Sequence, residues 1–110
     1  MAEQVNWPLI GGSQTVMELY PIGTAFKKVS GVYVSCKSSN PGKWNAVYVG
    51  EAHDLNQRLN TALQLHQAWS CITRNAATHV CVRAIQGARR ARLDLETNLR
   101  HSLNPLCNLQ

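Results

Sequence analysis

Two tyrosine–glycine triplets, Gly31-Val32-Tyr33 and Tyr48-Val49-Gly50, are the places in this chain best equipped for chemistry, and they are followed by Arg58, Glu96 and Asn108. Two phenols, a guanidinium, a carboxylate and an amide suit a metal-assisted attack on a phosphodiester. That reaction needs an activated water, charge stabilisation at phosphorus and help for the leaving oxygen. A carboxylate is the natural holder of a hard cation such as Mg2+, which prefers oxygen and keeps most of its waters. Acids are scarce after the first triplet (Glu51, Asp54, Asp94 and Glu96), and no clustered pair stands out. A single ion on one glutamate is therefore simpler than a two-metal site. A phenol titrates near pH ~10 and is a poor base at neutrality unless a cation or hydrogen-bond donor lowers its pKa. Each residue also has a plainer explanation. Tyrosines pack in strands, Arg58 can pair with Glu51 or Asp54 or snorkel, and Glu96 has Arg92 and Arg100 at i±4 as surface ion-pair partners.

These side chains need elements to position them. Gly31 to Cys36, with its β-branched valines, predicts a strand, and Trp44 to Gly50 predicts its return. Ser38-Ser39-Asn40-Pro41-Gly42 between them is turn chemistry, so the two form an antiparallel hairpin with a longish loop. Asp54 followed by Gln57 three residues later marks a helix start. Projected at about 100° per residue, Leu55, Leu59, Ala62, Leu63 and Leu65 form an apolar arc, and both Arg58 and His66 fall inside it. An arginine facing a core costs several kcal/mol unless something anionic meets it, so its placement calls for a reason. Residues 67–75 suggest a short helix and 78–85 a third strand. The last helix runs over 88–103 with Ala88, Ala91, Leu95, Leu99 and Leu103 on its buried face, and Asn104-Pro105 stops it.

Length and composition bound the rest. With 110 residues the chain forms one domain with a modest core, and its apolar content of 45% argues for a globular protein. Residues 1–29 read as a lead-in of uncertain structure, broken by Pro8, Gly11-Gly12, Pro21 and Gly23, and residues 30–110 as the domain proper. No apolar run is long enough to span a bilayer and no secretory signal is visible, so the expected setting is intracellular and cytoplasmic, without a membrane. The four cysteines (Cys36, Cys71, Cys81, Cys107) lack metal-site spacing and read as reduced, mostly buried small hydrophobes. A net charge of +5 suits a polyanionic partner. Lys37 and Lys43 beside the hairpin, and Arg89, Arg92 and Arg100 in the last helix, are the candidate nucleic-acid contacts.

The ordered set resembles the GIY-YIG nuclease domain over residues 30–108. The two triplets match its name-giving motifs, and Tyr48 through Leu59 matches its strand-to-helix segment with Arg58 on the arginine. Leu95-Glu96 through Arg100, then Asn104-Pro105-Leu106-Cys107-Asn108, match the glutamate-bearing helix and the terminal Pro-x-x-Asn. The resemblance implies an α+β fold, a three-stranded antiparallel sheet flanked by helices, and a DNA endonuclease dependent on Mg2+ or Mn2+. Glu96 would hold the ion, Arg58 would stabilise the phosphorane, Tyr33 or Tyr48 would take the water's proton, and Asn108 would hold the site together. One turn after the arginine, where many relatives carry His, Lys or Tyr, stands Ala62, which leaves His66 as the auxiliary candidate. With no recognition module in the chain, a partner protein or a homodimer would supply specificity. Two other readings fit the same residues: a non-catalytic nucleic-acid-binding module of this fold, and an interaction domain whose basic face meets an acidic protein.

Overall fold

The computed structural model describes residues 3–61 and 68–108. They contain an antiparallel sheet built from β1 (Glu3–Pro8), β2 (Gln14–Pro21), β3 (Gly31–Asn40), β4 (Lys43–Ala52) and β5 (His79–Ala84), in the order β1-β2-β5-β3-β4. Two helices, α1 (Trp69–Arg74) and α2 (Arg89–Leu103), complete the described elements together with a π-helical turn at Gln57–Thr61. Among the described residues no helix is long and apolar enough to cross a membrane.

Five strands replace the three expected. The addition comes from the lead-in, whose β1–β2 hairpin joins the sheet through β2 on β5. Its signal was present but short. Thr15, Met17 and Leu19 are buried while Gln14, Val16 and Glu18 are exposed, an alternation of period two hidden between glycine and proline breaks. The β3–β4 hairpin is also longer than predicted. Its strands run on to Asn40 and Lys43, which pair with each other, so only Pro41-Gly42 form the connection. A bulge between Ser35 and Cys36 turns both Val47 and Tyr48 toward the same face.

Each face of the sheet carries its own core. Tyr33, Tyr48, Val80 and Val82 meet Leu55, Leu59 and Ile72 on one side. Val32, Val34, Val49 and Cys81 meet Trp7, Met17 and Leu99 on the other. Helix α2 is not seated as its apolar pattern suggested. Ala88 and Ala91 are exposed, and Arg92 is buried in their place beside Leu99. The helix ends as expected, with Asn104 in the left-handed region (φ 47°) and Pro105 after it.

Asp54 caps the turn after β4, its Oδ1 accepting from the Gln57 N–H at 3.0 Å. Beyond it the chain winds as a π turn, which rotates through less than 100° per residue and carries Arg58 out of the apolar arc. Arg58 is exposed while Leu55 and Leu59 remain buried, so the expected inward-facing arginine is corrected. Two polar residues of this segment have structural work. Asn60 donates to the Thr24 carbonyl at 2.7 Å and accepts from Phe26 N–H at 2.9 Å, and Asn56 donates to the Phe26 carbonyl at 3.0 Å. Ala62, Leu63, Leu65 and His66 lie outside the described residues.

The cysteine reading also needs correction. Cys36 and Cys81 are free and buried as expected, but Cys71 and Cys107 form a disulfide. Helix α1 and the C-terminal tail bring these residues, 36 apart in sequence, to a Cα–Cα distance of 5.7 Å.

Candidate active site

The glycine of the second triplet has a steric reason. Gly50 pairs with Tyr33 across β3–β4, and a Cβ there would stand 2.5 Å from both Cζ and Oη of Tyr33 and 2.9 Å from Cε2 of Tyr48. The Tyr33 ring therefore lies over a bare stretch of β4, and only glycine leaves room for it. Gly31 plays a comparable part at the sheet's centre, where a Cβ would meet the Arg83 carbonyl at 2.5 Å. Diagonal placement on one face brings the two phenol rings to a centroid distance of 6.1 Å with 33° between their planes.

The tyrosines differ in access. Tyr33 is 1% exposed and Tyr48 9%. Burial pushes the Tyr33 phenol well above the ordinary tyrosine range, and the neighbouring Tyr48 adds to the rise. Arg58 opposes the rise, whereas Glu96 and Glu51 add to it. One phenol thus lies within electrostatic reach of the second tyrosine, the arginine and the glutamate picked out in the sequence. These come from β3, β4, the π turn and α2.

Glu96 is mostly buried, its side chain 17% exposed, with Arg100 Nη1 4.0 Å from its Oε1. Desolvation raises its pKa; Arg100 opposes the rise and Glu51 adds to it. Arg100 Nε is itself buried without a hydrogen-bond partner among the described residues. A desolvated carboxylate with only a distant cation suits an oxygen ligand for a hard divalent ion, so the residues present fit such a metal. Among the described residues no group of three or more His, Cys, Asp or Glu side chains comes together.

Asn108 closes the site from the tail. Its Oδ1 accepts from the Val49 N–H at 2.7 Å and its Nδ2 donates to the Val49 carbonyl at 2.8 Å, so the side-chain amide acts as one more strand residue on the outer edge of β4. The Cys107 N–H adds a bond to the Val47 carbonyl at 2.8 Å.

The basic candidates divide. Arg100 sits against Glu96, Arg89 is exposed at the start of α2, and Lys43 is exposed at the hairpin tip with partly buried Lys37 two pairs away from it along β3. At about 3.3 Å per residue, Lys43 lies roughly 20 Å along the hairpin from Tyr33. Arg92 does not face solvent: it is 5% exposed, and its Nε donates to Glu51 Oε2 at 3.0 Å. Glu51, which the sequence offered as a partner for Arg58, pairs with Arg92 and is a site-adjacent residue that was not among the candidate site residues. Its position directly after Gly50 was the available signal.

No protein-family model matches this sequence, and no curated protein matches it either. Two solved structures do: the GIY-YIG N-terminal endonuclease domain of UvrC from Thermotoga maritima, in two tyrosine-to-phenylalanine point mutants bound to the catalytic divalent cation. Identity is 24% and 23%, and in both cases the TM-score is 0.62, with 81% of this chain and 91% of the other covered. The chain thus has a fold like that of the GIY-YIG domain.

Proposed function

We propose that this chain is a divalent-metal-dependent DNA endonuclease that hydrolyses phosphodiesters with one ion and little sequence preference of its own. The observation that carries the proposal is the pairing of the Tyr33 and Tyr48 rings, 6.1 Å apart beside Gly50, with the Arg58 and Glu96 charges both acting on the buried Tyr33 phenol. The fold shared with an endonuclease domain that binds a catalytic divalent cation supports it.

Glu96 is the residue that would hold Mg2+ or Mn2+. When bound, such an ion supplies Lewis-acid stabilisation of charge on phosphate oxygens. The protein's own groups do the remainder. Arg58, exposed yet close enough to act on Tyr33, meets the charge that develops on the phosphorane. Tyr33 is kept neutral by burial and serves as a hydrogen-bond donor that orients the phosphate or the water. Tyr48, the more accessible phenol, takes the water's proton as phenolate, after its own proton has passed to solvent. Asn108 holds the β4 edge that carries Tyr48. Lys37, Lys43, Arg89 and Arg100 are the proposed contacts to the DNA backbone, which would make binding salt-dependent. Specificity beyond that comes from a partner protein or a second copy.

The test is nicking of supercoiled plasmid with Mg2+ or Mn2+. Cleavage is expected in the wild type and lost in Glu96→Ala. Arg58→Ala is expected to lower turnover by about 10²–10³-fold, as for loss of one charge-stabilising donor. Its circular dichroism should be unchanged, because the side chain is exposed. A wild-type rate in Arg58→Ala would refute its role. Retarded plasmid without cleavage by the wild type would leave a binding module of the same fold.

A further inference from the structure

Arg92 is the only charged residue that is buried among those described, and its side chain is 6% exposed against 17% for its partner Glu51. It occupies the stripe of α2 that Leu99 continues, where a leucine or methionine would be the ordinary choice. Buried ion pairs of this kind are often no more stabilising than apolar residues of similar volume, so stability alone does not account for it. Their best-supported use is to fix one packing arrangement against its neighbours.

The positions of the pair identify what would be fixed. Glu51 directly follows Gly50, the residue over which Tyr33 lies. Arg92 stands one helical turn before Glu96. The 3.0 Å bond therefore joins β4, beside Gly50 but on the Val32 and Val49 face of the sheet, to the glutamate-bearing helix one turn before Glu96. The other polar ties of α2 described here, Ile10 N–H to Asn98 Oδ1 and Ser102 Oγ to the Pro8 carbonyl, reach β1 and the turn after it, on the far edge of the sheet. Apolar contacts through Leu95, Leu99 and Leu103 hold the helix down but permit sliding and rotation.

We infer that Glu51 and Arg92 are positioning residues: their ion pair sets the rotation and register of α2 on β4, and so the placement of the Glu96 carboxylate relative to Tyr33 and Tyr48. The inference rests on the nuclease reading for the role of Glu96, and partners of this kind typically change metal affinity or activity by about 10–100-fold when removed.

The experiment uses Glu51→Met/Arg92→Met, an apolar pair of similar volume chosen to keep the fold, and Arg92→Lys, which keeps the charge but loses the planar guanidinium. Mn2+ binding by calorimetry is measured beside kcat and KM for plasmid nicking, with thermal unfolding as the control. The double variant should unfold within a few degrees of the wild type and keep KM within about 2-fold, while Mn2+ affinity and kcat fall by about 10–100-fold. Arg92→Lys should recover part of both losses. A folded double variant equal to the wild type in Mn2+ affinity and kcat overturns the inference. So does an unfolded double variant accompanied by Arg92→Lys with wild-type values. Wild-type protein that binds Mn2+ but never cuts, with binding lost in the double variant, sinks the endonuclease reading and leaves the pair's role standing. Wild-type protein that neither binds Mn2+ nor cuts overturns both.

Discussion

The two hairpins of the sheet are built on different plans. In β2 burial alternates, with Thr15, Met17 and Leu19 turned inward and Gln14, Val16 and Glu18 outward, so this outer hairpin lies on the core with one face in water. In β3 every residue from Gly31 to Cys36 is buried, because the strand sits between β5 and β4 with α2 on one face and the π turn and α1 near the other. A strand covered on both sides can keep a phenol away from solvent beside charged groups. A one-sided hairpin cannot. The candidate site therefore sits on β3–β4, and β1–β2 extends the sheet and braces the far end of α2.

Charge placed in each hairpin gives the largest contrast. Val34→Asp puts a carboxylate at a fully buried position and should cost more than about 4 kcal/mol, enough to prevent folding. Val16→Asp changes a side chain that is 46% exposed and should stay within about 0.5 kcal/mol in urea unfolding. Equal losses would erase the distinction between the hairpins.

Covering of the inner hairpin depends on the tail. Cys107→Ser removes a disulfide that closes a loop spanning 36 residues, which the chain-entropy estimate values at about 4 kcal/mol. Under oxidising conditions the variant's denaturant midpoint should fall, and under a dithiol reductant it should match the reduced wild type. Four reactive thiols per unfolded chain without reductant, rather than the two expected, would show that the bridge does not form.

Glycines sharpen the comparison further. Gly50→Ala drives a methyl into the Tyr33 phenol and should cost about 1–3 kcal/mol as overpacking. Nicking should drop about 10²-fold, since a displaced ring misplaces the reacting groups. Gly12, in the β1–β2 turn at φ +92°, has open space around its Cβ position. Gly12→Ala should therefore cost only the backbone conformation, about 1–2 kcal/mol, with nicking retained per folded molecule.

The smallest effect is expected from titration. Desolvation raises the folded-state pKa of Glu96, so the native protein holds that proton more tightly than the unfolded chain does. No penalty exists below the ordinary carboxylate range. It appears as pH rises through the elevated pKa and is full above it. Glu96→Gln should consequently melt higher than the wild type at neutral pH, and the difference should vanish in acid. Mn2+ should raise the melting temperature of the wild type but not of Glu96→Gln. A neutral-pH melting temperature lowered by Glu96→Gln would contradict the assigned environment.

Much of this molecule could be read along the chain because its signals are local. The valine-rich triplet strands, the Asp54 cap, Pro41-Gly42 in the turn and the Asn104-Pro105 stop act through backbone geometry within a few residues, so residue type and spacing were sufficient. The tertiary structure alone decided matters that depend on residues far apart. It recruited Gln14–Pro21 to β5, rotated Arg58 outward through a π turn, joined Cys71 to Cys107 and drew Arg92 into the core. In the last case the helix pattern favoured Ala88 and Ala91 as the buried face, and only the carboxylate of Glu51, 41 residues away, made burying a guanidinium tolerable. Local propensity sets which elements form; which faces they bury is set by partners that the sequence does not place side by side.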